Sequence, residues 1–150
     1  SLRLSTVMGY APRLRKDLLV NSFTIESKKN SYIVLFEKNY VRSFVHVLDV
    51  ISALIHSLKN YDTMKGEAYN VSTEDLSKLE LCERIKKYVP EFVIMADDYH
   101  SDPDLRNYRI NSDKIRKTGW EPKISLDETI QELLKGMSIL LACDAKYTNL

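Results

Sequence analysis

Hydrophobic and polar positions along the chain alternate between short apolar runs and longer segments with helical spacing. The short runs predict strands because turn residues bound them; they cover 2–9, 32–36, 44–47, 68–71 and 92–95. The longer segments predict helices because apolar residues recur every three or four positions; they begin near Asp17, Asp49, Ser77, Ser112 or Asp113, and Leu126. Strands and helices therefore alternate, which indicates the α/β class.

Local signals refine the predicted helices. The apolar side of the first helix is expected to comprise Leu18, Leu19, Phe23 and Ile25. Asp49 is expected to cap the second helix, because a carboxylate accepts the first free amides of a helix. Ser77 and Glu80 have the spacing of a capping box, which predicts a helix start at Ser77.

The connections between elements are mostly short and polar. The runs 32–36 and 44–47 are separated by a polar stretch, which fits a hairpin or two neighbouring strands. The longest irregular segment is expected at 97–107, and the final helix is expected to run from 126 to about 142.

Composition places the chain among ordinary globular domains. It has 150 residues, of which 44% are hydrophobic and 29% charged. The net charge of +1 provides no overall field for nucleic acid or an anionic membrane, so neither partner is expected. Cys82 and Cys143 lie in apolar helical patterns, which is typical of core residues in a reduced, cytoplasmic protein.

The glycines do not form a cofactor-binding turn. A dinucleotide fold places a cluster of glycines where backbone amides approach a pyrophosphate. The four glycines of this chain are Gly9, Gly66, Gly119 and Gly136, and they are too scattered for such a turn or for a P-loop. We therefore expect no dinucleotide site within these residues alone.

Tyr61 and Lys65 have the Tyr-x-x-x-Lys spacing in which a lysine lowers the pKa of a catalytic phenol. That chemistry needs both side chains on one helix face beside a nicotinamide. Here the pair lies in the turn before Gly66, so we interpret the match as accidental. No serine or cysteine lies in a nucleophile elbow, and the histidines and aspartates lack the spacing of zinc or calcium sites. We predict no catalytic residue and no metal site.

Arginines remain as candidate ligand-binding residues. They lie at strand ends or in loops, where a guanidinium can donate two hydrogen bonds to a phosphate: Arg3, Arg13, Arg15, Arg42 and Arg106. The alternative for each is a surface charge or an ion-pair partner.

Four ordered segments carry a family resemblance. The stretch 42–50, with the letters RSFVHVLDV, precedes a helix and the stretch GEAYNV at 66–71. RLSTVMG at 3–9 comes before them, and TGWEP at 118–122 comes after them. The chain resembles the extended short-chain dehydrogenases of the NAD-dependent epimerase/dehydratase type, in the branch that acts on nucleotide sugars. Segments 12–21 and 102–106 are most similar to enzymes of bacterial surface-polysaccharide biosynthesis, including heptose 4-dehydrogenases.

The resemblance implies a fold and a set of roles. The fold would be the C-terminal part of an extended Rossmann-type enzyme, with the last sheet strands and a small substrate-binding subdomain. Arg42 and Arg106 would bind the diphosphate of the nucleotide sugar, and Phe44 would pack against the nucleotide. Asn21 and Thr6 would contact the substrate, although Thr6 replaces an asparagine common in the family.

The same resemblance assigns further positions. The backbone of Val7 would approach the nicotinamide. Ser43 and Ser72 replace an aspartate and a glycine of the family pattern, so the supporting network must differ. Structural roles are implied for His46, Asp49, Tyr69 and Asn70.

The resemblance also implies what these residues lack. Residues 1–150 would form the C-terminal substrate-binding half, whereas the dinucleotide-binding half, with its catalytic tyrosine and its NAD or NADP, would lie outside them. The complete enzyme would oxidise, dehydrate or epimerise a nucleoside-diphosphate sugar, as a homodimer, and this chain alone would be inactive. The alternatives are a non-catalytic sugar-nucleotide binding or regulatory module and an inactive truncated product.

Overall fold

A computed structural model describes residues 1–102 and 104–140 of the chain. Its strands are β1 (Leu2–Leu4), β2 (Thr6–Met8), β3 (Tyr32–Leu35), β4 (Val41–His46), β5 (Tyr69–Val71), β6 (Glu74–Ser77) and β7 (Val93–Ala96). Its helices are α1 (Leu19–Lys29), α2 (Val47–Lys59), α3 (Tyr61–Met64), α4 (Lys78–Lys86), α5 (Asp113–Arg116) and α6 (Leu126–Leu140). The α/β class is confirmed. No helix among these residues is long and apolar enough to cross a membrane.

The strands form three small sheets in which parallel pairing dominates. The first predicted strand is divided at Ser5 into β1, which pairs in parallel with β5, and β2, which pairs in parallel with β4. β6 runs antiparallel to β4 on its other side, and β3 pairs in parallel with β7. The division at Ser5 lets one stretch of chain serve two sheets.

Two features of the sheets differ from the sequence-based prediction. The hairpin is wrong: Tyr32 of β3 pairs with Val93 of β7, while β4 pairs with β2 and β6. Strand β6 was not predicted, because its residues Glu-Asp-Leu-Ser carry no apolar run and it forms through pairing with β4. The capping box at its end is confirmed, since Ser77 N donates to Glu80 Oε2 at 2.7 Å and Ser77 Oγ accepts from Glu80 N at 3.2 Å.

The core has two parts. Helices α1, α4 and α6 contribute to the first, which includes Met8, Phe44, Leu81, Ile85, Ile130 and Leu133. The second lies beneath α2 and includes Val45, Ala53, Val71, Ile115 and Trp120. Cys82 is fully buried in the first part, as predicted, and burial raises the pKa of its thiol to about 12. Cys143 lies outside the described residues.

Helix α1 turns a more polar side to the core than its sequence indicates. Its buried residues are Val20, Asn21, Thr24 and Ser27, whereas the predicted apolar side chains Leu19, Phe23 and Ile25 are only partly buried. The buried hydroxyls are satisfied within the helix, since Thr24 Oγ1 donates to the carbonyl of Val20 at 2.7 Å. The predicted apolar side chains Leu19, Phe23 and Ile25 do pack against the core, and the prediction missed the buried hydroxyls, which local hydrogen bonds allow beside them.

The start of α2 is capped by His46 and not, as expected, by Asp49. His46 Nδ1 accepts from the amide of Leu48 at 3.2 Å. Asp49 is 2% exposed, and its carboxylate accepts the amides of Lys123 and Ile124 at 2.9 and 3.1 Å. Asp49 thus ties α2 to the turn before α6, which confirms its structural role but corrects the contact.

Candidate functional site

A cleft of about 450 Å³ opens where the β1–β2 junction, the loop before α1 and the segment 104–108 meet β4. Three arginines and two aspartates lie among its lining residues, and we call it the arginine cleft. The polar lining residues are Ser5, Thr6, Arg15, Asp17, Arg42, Asp104, Arg106 and Tyr108. A volume in this range is typical of small-molecule sites.

Arg42 extends from β4 and has a fixed orientation. Its side chain is 5% exposed, and Nη2 lies 3.1 Å from the Asp104 carboxylate. Nη1 donates to the carbonyl of Val41 and Nη2 to the carbonyl of Asp104, both at 3.2 Å. Its guanidinium carbon lies 5.7 Å from the ring centre of Tyr108. These contacts hold a buried cation at the wall of the cleft.

Arg106 forms the outer side of the same cluster. Its Nε and Nη2 donate to the two Asp104 oxygens at 2.7 and 2.6 Å, while its side chain remains 70% exposed. The hydrogen bonds from Arg106 hold the pKa of the Asp104 carboxyl well below its usual range, and the charge of Arg42 acts in the same direction. Asp104 therefore remains ionised between two guanidiniums.

The segment that carries Arg106 and Tyr108 is fastened to β4 by backbone contacts. The amide of Tyr108 donates to the carbonyl of Val41 at 3.2 Å, and Asn107 Oδ1 accepts from the amide of Val41 at 2.9 Å. Ser43 Oγ accepts from the amide of Ile110 at 3.0 Å. The serine that departs from the family pattern thus positions this segment.

Lys78 anchors Asp102, which lies just before the segment 104–108. It is 2% exposed, and its ammonium group donates to Asp102 at 2.6 Å and to the carbonyl of Phe36 at 3.0 Å. Asp102 Oδ1 in turn accepts from the amide of Asp104 at 2.8 Å. An ion pair between the buried Lys78 and the partly exposed Asp102 therefore fixes Asp104, the residue that bridges the two arginines.

Arg15 is the third cation of the cleft, and the family resemblance assigned it no role. Its Nε donates to Asp17 Oδ1 at 3.1 Å and its Nη2 to Oδ2 at 2.5 Å. This pairing lowers the pKa of Asp17 and raises that of Arg15. Arg15 was one of the five arginines identified in the sequence as candidate ligand-binding residues. Its position in the same cleft as Arg42 depends on how the loop before α1 folds. Tyr108 was also missed, since no sequence motif marks it.

Four of the six predicted site residues line the arginine cleft: Thr6, Val7, Arg42 and Arg106. Phe44 does not. It lies two positions after Arg42 on the same face of β4. The side chains of the first part of the core enclose it, and it is 0% exposed. The prediction that Phe44 packs against a nucleotide is therefore corrected.

Asn21 also lies away from the arginine cleft. It is 2% exposed, and its Nδ2 donates to the carbonyl of Arg15 at 3.0 Å. It lines a separate cavity of about 210 Å³ that shares Val7 and Arg15 with the cleft. The structure therefore places Asn21 behind the Arg15 loop, where it supports the backbone of Arg15.

The other residues with assigned roles make internal contacts. His46 Nε2 lies 2.8 Å from Glu132 Oε2, which joins the end of β4 to α6. Asn70 Nδ2 donates to the carbonyl of Asn111 at 3.0 Å, and Tyr69 is 6% exposed. Each contact connects two segments of the fold.

Tyr61 and Lys65 lie away from the arginine cleft. Tyr61 begins the four-residue helix α3 and is 62% exposed, and Lys65 pairs with Asp62 at 3.3 Å. Both line a different, apolar cavity of about 520 Å³. Within residues 1–102 and 104–140, no three histidine, cysteine, aspartate or glutamate side chains are grouped to hold a metal ion.

Comparisons with known proteins relate the sequence and the fold of this chain to other proteins. The sequence model of the NAD dependent epimerase/dehydratase family matches residues 1–72. The dTDP-D-glucose 4,6-dehydratase of Bos taurus is 30% identical over 104 residues, covering 63% of this chain and 28% of that protein. The crystal structure of UDP-glucuronic acid 4-epimerase from Bacillus cereus, in complex with UDP-glucuronic acid and NAD, has a TM-score of 0.76 at 20% identity and covers 93% of this chain and 45% of that one.

The fold also occurs in a protein named for another substrate. L-threonine dehydrogenase from Phytophthora infestans has a TM-score of 0.77 at 16% identity, with 93% of this chain and 48% of that chain covered. The chain spans less than half the length of the curated relatives it matches, between 27% and 44% of each. The fold is therefore that of the extended Rossmann-type proteins.

Proposed function

We propose that the arginine cleft binds the diphosphate of a nucleoside-diphosphate sugar. The match of residues 1–72 to the NAD dependent epimerase/dehydratase family supports this proposal. The chain would then form the substrate-binding part of an epimerase, dehydratase or 4-dehydrogenase that uses NAD or NADP. The observation that carries the proposal is the convergence of Arg15, Arg42 and Arg106 on one cleft.

The chemistry of these three side chains suits a diphosphate. Guanidinium groups donate parallel hydrogen bonds to phosphate oxygens, and a buried guanidinium interacts more strongly than an exposed one. Arg42 is buried and fixed, whereas Arg15 and Arg106 lie at the exposed side. A small amino acid such as threonine has no group that would need three cations, so the cleft favours the nucleotide sugar.

The remaining cleft residues divide between the sugar and the nicotinamide. We assign Thr6 to the sugar, because its hydroxyl can donate and accept hydrogen bonds at the cleft wall. We assign the backbone of Val7 to the nicotinamide side. The ring of Tyr108 keeps Arg42 in place and offers an aromatic edge to the nucleotide.

We infer that residues 1–102 and 104–140 offer no glycine-lined site for the pyrophosphate of a nicotinamide cofactor. Gly9 is the glycine nearest the cleft, and a Cβ atom there would lie 2.5 Å from His46 Nε2, so protein atoms fill the space beside it. Gly66 and Gly119 are turn glycines with positive φ, and Gly136 packs against Tyr10. We propose that cofactor binding and proton transfer depend on a dinucleotide-binding part outside these residues.

Calorimetric titration of the natural gene product with UDP-, dTDP-, GDP- and ADP-sugars tests the proposal. Arg42→Ala should weaken the binding of the preferred sugar nucleotide by about 1.5–3 kcal/mol, the value of a hydrogen bond to a charged group. Arg109→Ala is the control, because Arg109 is exposed in the same segment but does not line the cleft. Unchanged affinity in the Arg42 variant would contradict the proposed role.

A non-catalytic sugar-nucleotide binding or regulatory module is the second candidate. It is favoured by one observation, namely that Tyr61 and Lys65 lie at an apolar cavity, apart from the arginines. The two candidates differ in turnover, which can be measured as reduction of NAD(P) or as product formation by the natural gene product. Nucleotide-sugar binding without turnover would support the module.

A further inference from the structure

The smaller cavity of about 210 Å³, which adjoins the arginine cleft, is lined by an arginine that has no counter-ion. This cavity shares Val7, Arg15 and Leu18 with the cleft, and we call it the Arg13 cavity. None of the described residues that line it is acidic. Arg13 has no ion-pair or hydrogen-bond partner among residues 1–102 and 104–140. By contrast, each of the three arginines of the cleft is paired with an aspartate.

The loop before α1 holds Arg13 at this cavity. Leu14 is 1% exposed and belongs to the first part of the core, so it fixes the middle of the loop. Arg13 and Arg15 lie on either side of Leu14, and both line the cavity. The neighbours of Arg13 therefore set its position, while its own side chain is exposed and can pair with a ligand.

Asn21 contributes a second unpaired group to the Arg13 cavity. Its Nδ2 donates to the carbonyl of Arg15 at 3.0 Å. Because a carbonyl oxygen only accepts hydrogen bonds, this contact fixes which end of the amide is the nitrogen. The other end, Oδ1, is buried and has no hydrogen-bond partner among the described residues. A buried acceptor without a donor is unfavourable, so a ligand hydroxyl that donates to it would be stabilised.

The two unpaired groups bind different kinds of ligand atom. The guanidinium of Arg13 has donors alone, and its planar shape matches a carboxylate. The amide oxygen of Asn21 is an acceptor, so it binds a hydroxyl. A sugar that carries a carboxylate beside its hydroxyl groups supplies both partners in one ring, whereas a neutral sugar leaves Arg13 unpaired.

We propose that the sugar of the nucleotide sugar is a uronic acid, whose carboxylate pairs with Arg13 and one of whose hydroxyls donates to Asn21. This assignment rests on the proposed function, which puts the diphosphate in the adjoining cleft. Arg15 borders both spaces, so a ligand with its phosphates beside Arg15 extends its sugar into the Arg13 cavity. Arg13 is then the residue that selects an acidic over a neutral sugar.

Calorimetric titration of the natural gene product with UDP-glucuronic acid and UDP-glucose provides the test, because the two ligands differ at C6 alone. The acid should bind about tenfold more tightly, as one charge-assisted hydrogen bond allows. Arg13→Ala should remove this preference and leave the affinity for UDP-glucose unchanged. Equal affinities of the unaltered protein for the two ligands, or a preference that survives in Arg13→Ala, would overturn the uronic acid assignment.

Two further variants separate the charge of Arg13 from its surroundings. Arg13→Lys keeps the charge but lacks the planar fork, so it should keep part of the preference. Lys16→Ala removes a cation of the same loop that lines neither space, and it should change neither affinity. Since Arg13 is exposed, the melting temperature of Arg13→Ala should stay within a few degrees of the unaltered protein.

Arg42→Ala distinguishes a failure of this assignment from a failure of the proposed function. It should weaken both ligands by the same factor, because both carry the diphosphate. If Arg13→Ala also weakened both ligands equally, Arg13 would belong to the diphosphate site, and the uronic acid assignment would be overturned while the proposed function stood. Unchanged affinities in Arg42→Ala would instead overturn the proposed function.

Discussion

The Asp104 carboxylate lies 3.1 Å from Arg42 Nη2, at the wall of the arginine cleft. The same carboxylate accepts two hydrogen bonds from Arg106. Asp104 therefore occupies the position at which an incoming phosphate would meet both guanidiniums. A ligand that uses these donors must compete with the carboxylate, which makes the affinity of the cleft depend on the charge at residue 104.

Asp104→Asn should strengthen the binding of a nucleoside diphosphate to the natural gene product. The variant keeps the shape of the side chain but removes its charge, which should lower Kd by about threefold to tenfold, or roughly 1 kcal/mol. Isothermal titration with UDP at constant ionic strength measures the change. Asp98→Asn is the control, since Asp98 pairs with Lys38 outside the cleft. Weaker binding in the Asp104 variant would show that the carboxylate only positions the arginines.

The free energy of unfolding should fall in acid because the two aspartates of the cleft, Asp17 and Asp104, become protonated. Hydrogen bonds from Arg106 and Arg15 hold the pKa of Asp104 and Asp17 below their ordinary values. A carboxylate with a depressed pKa in the folded state stabilises the protein above its unfolded pKa, and this contribution is lost as pH falls through the folded value. Urea midpoints should therefore be steady near pH 6 and decline below about pH 4. The double variant Asp17→Asn/Asp104→Asn should decline less steeply, and an identical pH profile would contradict this cause.

Asp49→Ala should destabilise the 150-residue chain by about 2–3 kcal/mol, because two partly buried hydrogen bonds lose their charged acceptor. Denaturant unfolding measures the loss, and hydrogen exchange identifies its site. The amides of Lys123 and Ile124 should become less protected, since they donate to Asp49. Asp113→Ala, at the exposed start of α5, should cost much less. If exchange increased only at the start of α2, Asp49 would be a helix cap after all.

Gly9→Ala should be more damaging than Gly66→Ala. Both glycines have positive φ, at 119° and 80°, so an alanine at either position is strained by about 1–2 kcal/mol. At Gly9 the new Cβ would also lie 2.5 Å from His46 Nε2, whereas nothing lies within 4 Å of it at Gly66. Thermal unfolding should therefore show a clearly larger decrease in melting temperature for Gly9→Ala. Equal decreases would mean that His46 moves without cost.

Local patterns in the sequence predicted the parts of this fold that depend on neighbouring residues. The capping box of Ser77 and Glu80 and the alternation of strands and helices required only short-range signals. The pairing of β3 with β7 joins residues about sixty positions apart, and β6 is a strand only because β4 lies beside it. Such pairings depend on tertiary contacts, which propensity does not encode.

The candidate site, like the sheet pairings, could be predicted only in part from local sequence patterns. Arg42 and Arg106 could be identified from their motifs, but the motif alone did not show that Phe44 is enclosed by the core. Arg15 joined the cleft because the loop before α1 folds back, with Asn21 holding its backbone. Residue type thus indicated the candidate chemistry, while burial and loop geometry decided which side chains line the cleft.

We propose that Arg15, Arg42 and Arg106 together receive the diphosphate of a nucleotide sugar. Arginine side-chain NMR of the 150-residue chain, titrated with UDP-glucose, tests it most directly, because each Nε–H group reports its own surroundings. We expect saturable chemical-shift changes of the Nε–H signals at these three arginines. We expect none at Arg84 or Arg116, which pair with Asp127 and Glu121 away from the cleft. Shifts confined to other arginines, or none at millimolar UDP-glucose, would contradict it.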